Sequence, residues 1–300
     1  MMMLTELENE AKNFYDKLWS NPNRIRQISR EIPSWHYGFY EKGINNSNEA
    51  NVNMMDYVGR LLEIDDESSM KILDAGSGVG STSIYLAQKY SNCVFHGITI
   101  SYYESVIAGI LQKKLNISNV RFQQGSFMKT SYKNNYFDRI FALESVIYSP
   151  NKEEFVKEMY RILKPGGKIV VLDIFPKKYQ YNFLTIKIDK YLYHRKNSEE
   201  NLKNYYIDIN QFEKFLKTEK FVKIKIQNLI DSGNIKKSIL FISIILYSFA
   251  FLITKLRTIN KKRSFKYRFI SPYIVLMLIM YKLLIGINSN EYFSIEAIKK

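Results

Sequence analysis

Two hydrophobic periods alternate along the first 230 residues. Short apolar, β-branched runs recur at Lys71–Leu73, Val94–Ile98, Val120–Gln123, Asp138–Leu143 and Lys168–Leu172, the spacing of buried strands. Between them, 81–90, 103–114 and 153–163 carry apolar residues at helical spacing, as at Ile84, Leu86 and Ala87. Strand and helix in strict alternation predict a parallel sheet covered by helices on both faces. Helices are also expected at Leu4–Leu18 and Ala50–Leu62, parted by the aromatic segment 32–40. Residues 175–220 read as a polar, tyrosine-rich helical insertion. Val222–Leu229 alternates apolar residues with Lys223, Lys225 and Gln227, so it reads as a strand with one wet face.

The most informative segment joins the first strand to its helix: Lys71-Ile72-Leu73-Asp74-Ala75-Gly76-Ser77-Gly78-Val79-Gly80. Glycines at every second position let a ligand approach the backbone with no Cβ in the way, and the helix start offers amides to an anionic group. An acid two residues before the first glycine departs from the G-x-G-x-x-G of dinucleotide binders. Downstream, Arg161-Ile162-Leu163-Lys164-Pro165-Gly166-Gly167 ends a helix, since proline cannot continue it and the glycines permit a left-handed exit. Together the two segments resemble the class I S-adenosylmethionine-dependent methyltransferases, over about residues 34–231. The resemblance implies a Rossmann-like, doubly wound α/β sheet of seven strands, with Tyr292–Ile298 as the last, N-terminal helices and a helical C-terminal cap. It divides the chain into an N-terminal segment to residue 60, a cofactor domain over 61–235, and a basic apolar segment over 236–300.

The same resemblance assigns the cofactor residues. Asp74, Gly76, Ser77, Gly78 and Gly80 form the glycine motif. Trp35-His36-Tyr37-Gly38-Phe39-Tyr40 is similar to the aromatic segment of methyltransferases acting on tocopherols, sterols and sugars, which places Trp35 and Tyr37 over the cofactor. Gly97-Ile98-Thr99-Ile100-Ser101 resembles a stretch of that group and of the cyclopropane fatty acid synthases, and it implies Thr99 and Ile100 along the adenosine. Glu104, a helical turn later, is expected to hold the ribose. Ser126 and Phe127 stand where an acid commonly meets adenine, and Leu143 completes the set. Candidate groups for removing a proton from the acceptor are His36, Glu144 and Tyr148. The tetrapeptide of nucleobase amino-group methyltransferases is missing at Ala142-Leu143-Glu144-Ser145, which argues against a nucleic-acid substrate.

Composition narrows the setting. One cysteine, Cys93, and three dispersed histidines leave no disulfide and no visible metal cluster. The amino terminus lacks the apolar core of a signal peptide, so a cytoplasmic setting is expected. Of the net charge of +15, residues 231–300 hold +9, with seven basic residues and no acid over Lys255–Arg268. Ser238–Thr254 runs seventeen residues without a charge. These features fit a segment lying on an anionic membrane surface or a soluble cap over the active site. They fit a spanning hairpin less well, because it would carry the basic loop across the bilayer. The expected activity is methyl transfer from S-adenosylmethionine to a small lipophilic acceptor, on oxygen rather than carbon. The alternative is a membrane-associated scaffold that binds the cofactor without turnover. Nothing in the sequence points to an obligate protein partner.

Overall fold

The computed structural model describes residues 4–21, 36–65, 67, 69–176, 207–235 and 290–300. Two helices come first: α1 (Glu6–Trp19), and α2 (Ser47–Leu62), which leads to the sheet. β1 (Lys71–Ala75), β2 (Val94–Thr99), β3 (Val120–Gln124), β4 (Phe137–Leu143) and β5 (Leu163–Pro176) then alternate with α3 (Ser81–Lys89), α4 (Tyr102–Lys114) and α5 (Lys152–Ile162). A single 3-10 turn, Val146–Tyr148, follows β4. α6 (Ile209–Thr218), β6 (Phe221–Asn228) and β7 (Asn290–Lys299) close the fold.

The strands form one seven-stranded sheet in the order β3-β2-β1-β4-β5-β7-β6. β1 to β5 pair in parallel, whereas β7 runs antiparallel between β5 and β6. This is the seven-stranded, doubly wound architecture that the resemblance implied, and its parallel part, β1 to β5, is what the alternation of periods predicts. Strand pleating sorts the core into two layers. Ile72, Phe141 and Val170 face a cluster that also buries Val58 of α2, Ile84 of α3 and Ile107 of α4. Their neighbours Leu73, Ile140, Ala142 and Val171 face the opposite cluster, with Phe155 of α5 and Phe212 of α6.

Most helices begin at a side-chain cap. Thr5 and Glu8 form a reciprocal capping box on α1, and Asn46, Ser101, Asn151 and Asp208 cap α2, α4, α5 and α6. Two boundaries differ from expectation. α5 stops at Ile162, and β5 begins at once, taking in the Lys164–Gly167 turn. The pairing with β4 shifts register between Phe137 and Arg139, and Gly166 adopts φ +73°, so the proline–glycine turn is absorbed as an irregularity of the strand. The expected insertion is described only as the end of β5 and as α6. Trp35 and the apolar and basic segments over 236–289 lie outside the described residues. Among the described residues no helix is long and apolar enough to cross a membrane.

Candidate active site

A cavity of about 200 Å³ opens at the carboxyl ends of β1, β2 and β4, where an open α/β sheet places its ligands. The loop after β1 forms its floor. Gly76, Gly78 and Gly80 all take positive φ, at +98°, +52° and +84°. The Gly76 and Ser77 amides donate to the Ile98 carbonyl at 2.9 and 3.0 Å, which ties the loop to β2. The three glycines do different work. A Cβ on Gly76 would lie 2.3 Å from the Ser145 side chain, and one on Gly80 would lie 2.5 Å from the Phe122 ring. A Cβ on Gly78 would meet nothing closer than Glu104 Oε1 at 3.8 Å. Gly78 therefore keeps open a space that protein does not fill. Beside it, the Ser77 hydroxyl is buried without a hydrogen-bond partner, a cost that a bound ligand would relieve.

Carboxyls surround this floor. Asp74, at the end of β1, accepts from the Ser83 hydroxyl at 2.7 Å, and burial pushes it up to about 7. Glu104 accepts from Thr99 Oγ1 at 2.5 Å and from Trp19 Nε1 at 3.0 Å. Burial raises it too to about 7, against the pull of those two donors. Glu144 follows β4 with φ +52°. Its Oε1 accepts from the Tyr37 amide at 2.7 Å and from the Tyr292 hydroxyl at 3.0 Å. Burial, reinforced by the Asp173 charge, pushes it up to about 8. His36 is half-buried, and burial lowers it to about 4, so its imidazole is neutral at pH 7. Its Nδ1 lies 3.1 Å from the Tyr37 carbonyl, which can only accept, so Nδ1 carries the proton and Nε2 is the basic nitrogen.

Thirteen of the sixteen residues assigned from sequence line this one cavity: His36, Asp74, Gly76, Ser77, Gly78, Thr99, Ile100, Glu104, Ser126, Phe127, Leu143, Glu144 and Tyr148. Gly80 does not. It makes room for Phe122 and starts α3, so it is a packing glycine. Tyr37 does not line the cavity either. Its ring packs edge-on against Tyr292 at 5.7 Å, and its amide holds Glu144. Ser126 lines the wall, yet its hydroxyl is engaged by Glu8 Oε1.

α1 was expected as a helix, but its place at the cavity is what sequence reading missed. Glu8, Ala11, Tyr15 and Trp19 line the cavity from above. α1 is fastened to its rim by hydrogen bonds from Ser126 to Glu8, from Ser101 to Asp16 at 2.7 Å, and from Trp19 to Glu104. The signal was present, because Leu7, Ala11, Tyr15 and Trp19 recur every four residues and mark one helical face. That stripe reads equally well as ordinary core.

The residues fit S-adenosylmethionine. Gly78 leaves room at the backbone, Ser77 offers an unsatisfied hydroxyl, and Asp74 and Glu104 supply carboxyls for polar and cationic groups. Ile100, Phe127 and Leu143 offer apolar surface for a flat base. Among the described residues no group of three or more metal-ligating side chains occurs.

Comparison with known proteins agrees with this geometry. A family model described as a methyltransferase domain matches residues 66–218. Norajmaline N-methyltransferase of Rauvolfia serpentina is 36% identical over 146 residues, 46% of this chain and 49% of that protein. Tocopherol O-methyltransferase of Arabidopsis thaliana is 26% identical over 181 residues, 56% of this chain and 48% of that one. The chain thus spans about half the length of these curated relatives. Among solved structures, geranyl diphosphate C-methyltransferase from Streptomyces coelicolor A3(2), in complex with Mg2+, geranyl diphosphate and S-adenosyl-L-homocysteine, has a TM-score of 0.63 at 14% identity, covering 100% of both chains. The [4+2]-cyclase SpnF has a TM-score of 0.65 at 16% identity, covering 96% of this chain and 94% of that one. The glycine motif, the strand order and the family match converge: this chain belongs to the methyltransferase domain family, of class I fold, with S-adenosylmethionine as its cofactor.

Proposed function

We propose that this protein transfers a methyl group to a hydroxyl of a small, lipophilic acceptor. The observation that carries this reading is that two sets of residues line one cavity. The glycine floor with Asp74 and Glu104 suits the cofactor, while Glu144, His36 and Tyr148 are side chains able to take a proton. When bound, S-adenosylmethionine supplies an electrophilic methyl on a sulfonium sulfur. The chain then has to orient the acceptor and take its proton, and positioning alone can supply a large part of the rate. Tyr15, Met128, Leu143 and Pro150 give the cavity an apolar wall, which supports a lipophilic acceptor. Transfer to oxygen calls for a base; Glu144, pushed up to about 8, is matched to that task near neutral pH, whereas His36, lowered to about 4, is a weak base there. The methyltransferases similar to this chain are named for work at nitrogen, oxygen and carbon, so the family name does not select the atom.

The test is incubation with methyl-labelled S-adenosylmethionine and fractionated lipid and metabolite extracts. Label entering an apolar product as a base-stable ether supports the reading. Label on carbon or nitrogen refutes the oxygen assignment. Cofactor binding with no labelled product favours a scaffold or a different reaction on the same fold, as in the [4+2]-cyclase SpnF.

The basic run Lys255–Arg268 and the uncharged run before it support an anionic membrane surface as a second partner. Flotation with vesicles of increasing anionic lipid content checks it. A protein that stays in the aqueous fraction at low salt refutes it.

A further inference from the structure

Tyr292 sits on β7 with its side chain fully buried, yet its hydroxyl reaches the cavity wall and donates to Glu144 Oε1 at 3.0 Å. The Tyr37 amide donates to the same oxygen at 2.7 Å. Two donors on Oε1 fix the plane of the carboxyl. Oε2 then takes no hydrogen bond among the described residues, and it is the oxygen left to a molecule in the cavity that Glu144 lines. The backbone is held to the same end. Glu144 adopts φ +52°, uncommon for a residue with a Cβ, and its amide donates to the Leu172 carbonyl at 2.8 Å. A strained backbone and a doubly held oxygen are more than packing requires of a loop glutamate.

We propose that Tyr292 is a positioning residue that presents Glu144 Oε2 as the proton acceptor of the reaction, an inference that rests on methyl transfer to a hydroxyl. In that step the acceptor's O–H bond breaks and the proton binds Oε2; the electron pair left on the acceptor oxygen forms its new bond to the methyl carbon as the carbon–sulfur bond breaks, whose electron pair leaves with the sulfur as a neutral thioether. Glu144 afterwards returns the proton to water. Tyr292 itself keeps its proton, since burial and the facing carboxyls push it well above the ordinary phenol range.

Several titratable groups face this pair. Asp173 of β5 raises Glu144 by its charge, while its own oxygens accept from the Ile147 and Ile174 amides at 2.9 and 2.7 Å. Lys152 at the start of α5 is buried and faces Asp173. Tyr37 flanks the pair from the aromatic segment, its amide on Glu144 and its ring against Tyr292, and His36 and Tyr148 line the same cavity as Glu144. The Tyr292 hydroxyl favours the ionised form of Glu144, so its removal has a definite sign: the Glu144 titration moves up.

The experiment is an infrared titration of the protonated-carboxyl band from pH 5 to 10, assigned to Glu144 by its loss in Glu144→Gln. In the wild type the band should disappear around pH 8. Tyr292→Phe keeps the ring against Tyr37 and deletes only the donor. It should move the midpoint up by about half a pH unit or more, shift the rising limb of the kcat profile by the same amount, and leave S-adenosylhomocysteine affinity within about twofold. Uniform 3-fluorotyrosine labelling gives a stronger donor of nearly the same shape, and it should move the midpoint down even if Tyr292→Phe fails to fold. An unmoved midpoint in both proteins overturns the proposal, as does full methyl transfer by Glu144→Gln. A shifted band in a protein that methylates nothing upholds the coupling and refutes the methyl-transfer reading instead.

Discussion

The two ends of the cavity are built by opposite means. The glycine floor on the cofactor side is one continuous stretch, residues 74–80, whose shape comes from backbone: three positive φ angles and two amides on the Ile98 carbonyl. The acceptor end is assembled from side chains on separate elements, from His36 before α2 to Glu144 after β4 and Tyr292 on β7. A backbone site binds a ligand shared by many chains. A side-chain site can be changed one residue at a time while the sheet stays intact. The first set therefore identifies the family, and the second is where the proposed reading has the acceptor chosen.

Substitutions can break each end separately. The largest effect is expected from Gly76→Val, which places a branched side chain at φ +98° and 2.3 Å from Ser145. It should lower the melting temperature and abolish cofactor binding together. Gly78→Ala lies in open space and should remain folded while losing affinity for S-adenosylmethionine. Calorimetry on the two variants separates a packing glycine from a ligand glycine, and unchanged affinity in folded Gly78→Ala would remove the cradle from the site.

At the other end, Glu144→Gln should reduce methyl transfer by ~10²–10⁴-fold, the usual contribution of a positioned base, with cofactor affinity unaltered. The same variant tests linkage. Because Glu144 rises from its ordinary 4.5 to about 8, the folded state keeps a proton that the unfolded chain has lost between those values. Wild-type stability should fall as pH rises through that window. Glu144→Gln should escape this part of the fall, and parallel melting curves from pH 5 to 9 would contradict the assignment.

Glu104→Ala probes the cofactor end by side chain rather than backbone. Losing a hydrogen bond to a charged group costs ~1.5–3 kcal/mol, so S-adenosylmethionine and S-adenosylhomocysteine should both weaken about tenfold to a hundredfold. Wild-type affinity for both would place the ribose contact elsewhere. The smallest effect concerns charge. Asp74 and Glu104 titrate around 7 and gain negative charge above it, which favours a sulfonium over a neutral thioether. Preference for S-adenosylmethionine over S-adenosylhomocysteine should grow a few-fold between pH 6 and 8.5. A flat ratio would show that neither carboxyl senses the sulfonium.

What could be read from sequence follows the same division. The glycine loop, the strand alternation and the proline–glycine turn are local signals, and the structure places the first at the cavity and the others in the sheet. β7 was expected from resemblance alone, and it pairs with β5 over Lys168–Pro176. Contacts between distant segments left no local mark. Nothing near Trp19 announces Glu104, and nothing near Tyr292 announces Glu144. Gly80 shows the converse failure: a glycine inside a ligand motif can be there for Phe122. Ser126 seemed to replace an acid beside the base, but the fold brings an acid back as Glu8 from α1.

The antiparallel placement of β7 bears on how this chain is made. β5 is finished at residue 176 and β6 at residue 228, but the strand that separates them begins only at residue 290. Until the ribosome releases that stretch, the β5 edge of β-branched residues and β6 both lack the strand they pair with in the sheet. Such an edge is a template for pairing with other chains. The nascent protein is thus most exposed to misassembly between the emergence of residue 228 and that of residue 290. The strand that ends this exposure also brings in Tyr292, so shielding of the edge and completion of the site arrive with the same few codons.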